Sequence, residues 1–366
     1  MTSNRFLAIL LLTFATASAG ADDISVEDFI DATGIRAGDT PVRDRTGWTA
    51  TPTILVRTMA GATEDLDDAF PGARVILVDT LDDALLHAAK AHVILGFCDS
   101  RLFDAADDLV WVQVYWAGVE RCLESEAVGS GRVLLTNMQK MSSPTIGEHA
   151  VAMMLSLTRG LTPFAKMMPE GYWQRDNARS NGMISVDGKT LLVAGLGGIG
   201  KQVAMRGKAL GMRVVATRNS SREGPDYVDY VGLSDELHGL AAQADVIVNA
   251  LPLTSATEGL FDRAFFGAAK RGSYFINVGR GGTVVTDDLL AALEDGHLGG
   301  AGLDVTDPEP LPADHPLWQL PNVIITPHVA GFGGSRRWHA MLVRENIRRY
   351  LAGEALLNVV DPGRGY

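Results

Sequence analysis

The sequence predicts an α/β protein made of two doubly wound parallel-sheet domains, and three observations carry that expectation. A chain of 366 residues, 46% hydrophobic and 21% charged with 40 glycines, exceeds one ordinary core and has the balance of a globular protein. Short apolar runs alternate with helical patterns in two separate series, the order that lays helices on both faces of a parallel sheet. Within the second series, a glycine-rich turn joins a buried strand directly to a helix.

In chain order, the first element is a leader. Arg5 precedes the apolar run from Phe6 to Phe14, and Ala17 and Ala19 place small residues where signal peptidase reads them, with polar residues beyond. Residues 1–20 are therefore expected to be a secretory signal cut after Ala19, which makes the protein exported, periplasmic or secreted. The alternative is a start assigned upstream of the true one and a cytoplasmic protein. The run falls short of the roughly 20 apolar residues that cross a bilayer, so no permanent membrane anchor is expected. It lacks twin arginines, so a chain using it crosses unfolded and without cofactor.

Residues 22–52 carry no motif. The runs TILVR, RVILVD, HVILGF, LVWVQVYW and RVLLTN then read as strands of a first sheet. Ile146 to Leu161 reads as one long helix stopped by Pro163, a crossing between domains. The second series is KTLLVAGL, RVVATR, ADVIVNAL, GSYFINVG, GAGLDV and NVIITPH, and a helix over Ser335 to Leu351 carries the chain back. The first domain thus spans 22–150 plus 333–366 and encloses a second spanning 151–332.

A net charge of −12 disfavours a nucleic-acid partner, since such binding rests on clustered lysines and arginines. Cys98 and Cys122, with no CxxC spacing and no nearby histidines, argue against a metal site and read as buried, inert thiols; in an exported protein they could pair.

The chemistry lies at strand ends. In LLVAGLGGIG, Gly195 suits a tight turn, Gly197 a close backbone approach to a pyrophosphate and Gly200 close helix packing, while the helix N-terminus faces the phosphates. After the next strand, where an NAD site places a carboxylate against the ribose, stand Arg218, Asn219, Ser220, Ser221 and Arg222. A guanidinium there favours a 2′-phosphate, hence NADP over NAD; otherwise these arginines are solvated loop charges. Arg280, Glu309 and His328 each follow the carboxyl end of a strand, where open α/β sheets bind ligands. His149 reads as core, His315 as part of a turn, and Glu148 as a helix charge.

Taken in order, AGV at Ala117 to Val119, EHAVAMML, GLGGIG, LPLT, NVGRG, GLDV with EPLP, TPHVAG and the tail NVVDPGRGY resemble the D-isomer-specific 2-hydroxyacid dehydrogenases, closest to the glyoxylate and hydroxypyruvate reductases. The resemblance covers most of residues 53–366. It implies a Rossmann cofactor domain inserted in a flavodoxin-like substrate domain, a homodimer through the linking-helix region, and NAD(P)-dependent reduction of a small 2-oxo acid to the D-2-hydroxy acid. It further implies that Arg280, with Ala117 and Gly118, binds the substrate carboxylate, that His328 is the proton donor, and that Glu309 orients it. Cofactor contacts are implied at Gly195, Gly197, Gly198, Ile199, Gly200, Arg218, Ser220, Leu251, Pro252, Thr257, Val278, Gly279, Asp304 and Gly331, with Asp304 on the nicotinamide carboxamide. Trp116 departs from the small residue common before the AGV turn and is expected to give the pocket an aromatic wall. A non-catalytic nucleotide-sensing or interaction protein on the same fold is the rival reading.

Overall fold

The strand runs form two all-parallel sheets. The computed structural model describes residues 24–58, 70, 72–171, 173, 183–334 and 336–363, so the leader lies outside the described residues. The first sheet contains β1 (Thr53–Arg57), β2 (Arg74–Val78), β3 (Val93–Leu95), β4 (Trp111–Gln113) and β5 (Leu134–Thr136) in the order β2-β1-β3-β4-β5. That is the flavodoxin-like order, whose reversal point lies between β1 and β3. Ile54, Val56, Val93 and Leu95 pack to one face and Leu55, Ile94, Val112 and Leu135 to the other. Both faces are covered by helices, as continuous apolar runs rather than alternating ones require.

The second sheet contains β6 (Thr190–Ala194), β7 (Arg213–Thr217), β8 (Tyr230–Gly232), β9 (Val246–Asn249), β10 (Tyr274–Asn277), β11 (Gly300–Leu303) and β12 (Val323–Ile325). Its order, β12-β11-β10-β9-β6-β7-β8, is the doubly wound arrangement with a seventh strand added at one edge. The edge strand β8 escaped the sequence reading: three residues among many polar neighbours carry too short a pattern to announce a strand.

The linking helix differs from its sequence reading at both ends. It spans Ser143–Thr158, with Pro144 in its first turn. It stops before Gly160, whose left-handed conformation turns the chain, and Pro163 sits inside the first turn of a separate helix, Leu161–Met167. Proline is tolerated there because a first-turn N–H has no intrahelical partner to lose. The linking helix crosses the helix Gly198–Ala209 so closely that a Cβ on Gly147 would stand 2.7 Å from Cβ of Gln202.

The closing helix Arg336–Ala352 returns to the first sheet. Tyr350 stacks on Trp111 of β4 with ring centroids 5.7 Å apart, and buried Asn346 donates to Gln113 Oε1 at 3.1 Å. The tail then follows β5, where Val360 N–H donates to Leu135 O. Residues 24–52, motif-free in sequence, clasp this return. Phe29 meets Trp338 edge-on at 6.2 Å, Gly38 N–H donates to Leu356 O, and Trp48 Nε1 donates to Tyr350 O at 3.0 Å.

The two cysteines are not free thiols. Cys98, after β3, and Cys122, in the short helix after β4, form a disulfide with Cα atoms 5.0 Å apart. Spacing alone could not show this, because the pairing depends on β3 and β4 being neighbours in the sheet.

Candidate active site

The carboxyl ends of both sheets face one cleft of about 2200 Å³. The glycine loop after β6 supplies one wall. A Cβ on Gly200 would stand 2.0 Å from Gly195 O, so the third glycine serves packing and stays outside the cleft lining. Gly195, Gly197, Gly198 and Ile199 line the cleft, and nothing lies within 4 Å of a Cβ built on Gly197. Gly197 is also the N-cap of the helix Gly198–Ala209, which has no side-chain cap and no acidic residue in its first turn. Its free amides and positive dipole end are thus left for a phosphate, and this open cradle fits a dinucleotide.

At the end of β7, Arg218 and Ser220 line the cleft. Arg218 Nη1 donates to Glu223 O at 2.7 Å, which curls the loop and keeps the guanidinium at its mouth. Arg222 is diverted: it pairs with Glu236 at 2.7 Å and donates to Tyr230 OH at 3.0 Å, away from the cleft. Of the two arginines in the loop, only Arg218 reaches the nucleotide side. Leu251, Pro252, Thr257, Val278, Gly279 and Gly331 also border the cleft.

Arg280 sits on a turn built by buried polar groups that the sequence reading did not single out. Asn249 Nδ2 donates to Asn277 Oδ1 at 2.9 Å and to Thr283 Oγ1 at 2.7 Å, while Thr283 Oγ1 donates to Arg280 O at 2.7 Å. These three side chains are fully buried, and satisfied networks of this kind fix one geometry. The guanidinium leaves the turn with Nη1 on Gly279 O at 2.9 Å and Nε on Glu120 Oε1 at 3.0 Å. Its Nη2 would lie 2.6 Å from a Cβ on Gly118, so the AGV turn and the arginine touch only because residue 118 is glycine. Asn137 Nδ2 holds that turn through Ala117 O at 2.8 Å, and Trp116 forms an exposed aromatic wall beside it. Glu120 is the unforeseen member: it lies 160 residues from Arg280, and only the facing of the two sheets brings them together.

His328 Nδ1 and Glu309 Oε1 are 2.7 Å apart. An ionised carboxylate only accepts, so Nδ1 carries a proton and Nε2 is the ring atom left to exchange one. His328 has a left-handed φ of 54°, a strained state for a non-glycine residue. Asp304 holds it there. Its backbone O accepts from His328 N at 2.8 Å, and its carboxylate accepts from Thr326 Oγ1 at 2.6 Å, Val329 N at 2.9 Å and Ala330 N at 3.0 Å. With only 3% of its surface exposed, Asp304 spends its carboxylate on the loop that presents His328 rather than on the cleft alone. The Thr326 oxygen, having given its proton to Asp304, accepts from His149 Nε2 at 2.9 Å. His149 is therefore half-buried and part of this support, not simple core. His315 caps a short helical turn and Glu148 pairs with Arg206, both structural as read.

Among the described residues, no group of three His, Cys, Asp or Glu side chains has the arrangement of a metal site, and no helix is long and apolar enough to cross a membrane.

A family model described as D-isomer specific 2-hydroxyacid dehydrogenase, NAD binding domain, matches residues 151–330. A glyoxylate reductase of Korarchaeum cryptofilum is 31% identical over 300 residues, 81% of this chain and 88% of that one. Among solved structures, a D-isomer specific 2-hydroxyacid dehydrogenase family protein from Aeromonas salmonicida superposes with a TM-score of 0.75 at 34% identity, covering 85% of this chain and 99% of that one. An NADPH-dependent glyoxylate/hydroxypyruvate reductase from Sinorhizobium meliloti, solved with NADP and sulfate, gives 0.73 at 28% identity, covering 86% of this chain and all of that one (100%).

Proposed function

Since the chain belongs to the D-isomer specific 2-hydroxyacid dehydrogenase family, we propose that it reduces a small 2-oxo acid to the D-2-hydroxy acid with NADPH, and catalyses the reverse reaction. The observation that carries this reading is the meeting, in one cleft, of an uncapped glycine cradle, Arg280 beside Gly118, and the His328–Glu309 pair at 2.7 Å. A nucleotide sensor needs the first of these and has no use for the other two.

When bound, the nicotinamide supplies hydride to the carbonyl carbon. The chain supplies the rest. Arg280 binds the carboxylate through Nη2, the donor that its contacts with Glu120 and Gly279 leave over, and the turn at Ala117 and Gly118 adds backbone contacts. His328 gives the Nε2 proton to the carbonyl oxygen, and the Glu309 carboxylate steadies the ring through Nδ1. Trp116 gives the pocket an aromatic wall beside the turn at Ala117 and Gly118.

NADP is favoured over NAD because Arg218 lines the nucleotide side of the cleft and, among the described residues, no carboxylate pairs with it. Exposed Leu161, Met168 and Trp173, which follow the linking helix in the chain, support a homodimer through that region, which light scattering measures. Export through the leader is supported by the Cys98–Cys122 bond, since disulfides persist in oxidising compartments.

The test is NADPH oxidation followed at its absorbance maximum with a panel of 2-oxo acids that includes glyoxylate and hydroxypyruvate. Turnover is expected, with a loss of about 100-fold or more in His328→Gln, the scale of a missing general acid. Cofactor binding without turnover of any 2-oxo acid would leave the sensor reading standing instead. Arg218→Ala should raise the Kd for NADPH and leave that for NADH little changed.

A further inference from the structure

Gly96 follows β3 with a φ of +89°, a conformation that penalises L side chains. The place its Cβ would take is filled from two sides: Cε2 of Tyr115 lies 2.5 Å from it and Cβ of Arg57 2.9 Å. Glycine here lets the carboxyl ends of β1 and β4 close over β3, and so sets Arg57 beside the Tyr115 ring. The Arg57 guanidinium lies over Phe97, with Cζ 5.2 Å from the ring centroid, and all three side chains line the cleft that holds Arg280 and His328. The Cys98–Cys122 bond, one residue beyond Phe97, fastens this wall to the helix that carries Glu120.

Two donors in this corner have no acceptor. Among the described residues, Arg57 makes no ion pair or hydrogen bond beyond its ring contact, and the buried Tyr115 hydroxyl has no hydrogen-bond partner. Burial raises the Tyr115 pKa, so the phenol stays a neutral donor at working pH. Among the described residues, the neighbouring carboxylates are committed elsewhere, and Asp79 accepts from Thr58 Oγ1. Asp99 accepts from Arg101 Nε at 3.0 Å and Nη2 at 2.9 Å, and Glu120 holds Arg280. A buried hydroxyl without a partner is costly, and together with a guanidinium it makes a donor set matched to an anionic oxygen group.

The turn from Tyr115 to Gly118 separates this corner from Arg280, with Tyr115 against Arg57 and Gly118 against Arg280. Three residues of extended chain separate the two backbone positions by at most about 10 Å, and both corners line the same cleft. We infer that Arg57 and Tyr115 form a second carboxylate subsite, so that the substrates include 2-oxo acids with a carboxylate at the far end. The inference rests on the reading of Arg280 as the seat of the first carboxylate.

The experiment compares kcat/KM for oxaloacetate and 2-oxoglutarate with that for 2-oxopentanoate, which has a methyl group where 2-oxoglutarate has its distal carboxylate. Wild type should favour at least one diacid over the methyl compound. Arg57→Gln should cut that preference by roughly 10- to 100-fold, the range of one charge-assisted hydrogen bond. Tyr115→Phe removes a hydroxyl unbonded in the free protein, so it should leave the thermal midpoint unchanged or raised while lowering the preference several-fold. Equal effects of Arg57→Gln on both substrate types, or a wild-type preference for 2-oxopentanoate over both diacids, would overturn the subsite. If no 2-oxo acid is turned over, the reductase reading falls, and the subsite is judged by glutarate binding to the NADPH-loaded protein through tryptophan fluorescence. Binding weakened by Arg57→Gln sustains the subsite; binding indifferent to it, or none, overturns it.

Discussion

Asp304→Ala tests how the proton donor is held. The carboxylate accepts two backbone amides, from Val329 and Ala330, and the Thr326 hydroxyl, all within 3.0 Å. Hydrogen bonds to a charged group are worth about 1.5–3 kcal/mol each, so orphaning the two amides costs the loop about 3–6 kcal/mol before relaxation. Against this stands the strain at His328, whose positive φ costs about 1–3 kcal/mol and relaxes once the loop is released. The loop should therefore give way, and a misplacement worth about 2 kcal/mol lowers kcat roughly 30-fold. Asp304→Asn keeps the acceptor for Thr326 and Val329 and loses only the bond from Ala330, so it should fall between wild type and alanine. The assay is steady-state kcat at saturating NADPH and 2-oxo acid, with NADPH affinity measured separately. A kcat for Asp304→Ala within 3-fold of wild type, or full recovery at high NADPH, would refute the reasoning, because the carboxylate would then act through the cofactor alone.

Three further outcomes are expected. Gly281→Ala would place a Cβ 1.9 Å from Thr306 O, a clash between two backbones that nothing flexible relieves, so the variant should be insoluble or melt far below wild type by circular dichroism. Replacing Cys98 and Cys122 together by alanine should lower the urea midpoint, with a loss of about 3.5 kcal/mol for a loop of their 24-residue separation; an unchanged midpoint in oxidised wild type and variant would count against the bond. Amino-terminal sequencing of the native protein from fractionated cells should find Gly20 first in an exported fraction, whereas an intact Met1 or a cytosolic start near residue 22 would remove the signal reading.

Much of the site was legible in the chain because a parallel sheet puts its carboxyl ends on one edge. Once VAGLGGIG, FINVGRG, GLDV and ITPH read as strand followed by turn, Gly197, Arg280, Asp304 and His328 had to converge. The five strands of the first sheet and six of the seven in the second announced themselves as apolar runs. β8 did not, since three residues at an edge need little apolar surface. Pro163 misled for a related reason: a first-turn proline and a helix-ending one look alike until the break at Gly160 is seen.

Local pattern and the order of strand and helix thus lay in the sequence itself, because neighbouring residues encode periodicity, turn chemistry and the glycine cradle. Everything that pairs distant segments was decided by tertiary structure. Glu120 on Arg280, Asp304 under the His328 loop, Cys98 with Cys122, and Arg57 beside Tyr115 across Gly96 each join different strand ends. Strand order, register and the facing of the two sheets choose those partners, and these arise from burying whole apolar faces rather than from any short stretch of the chain.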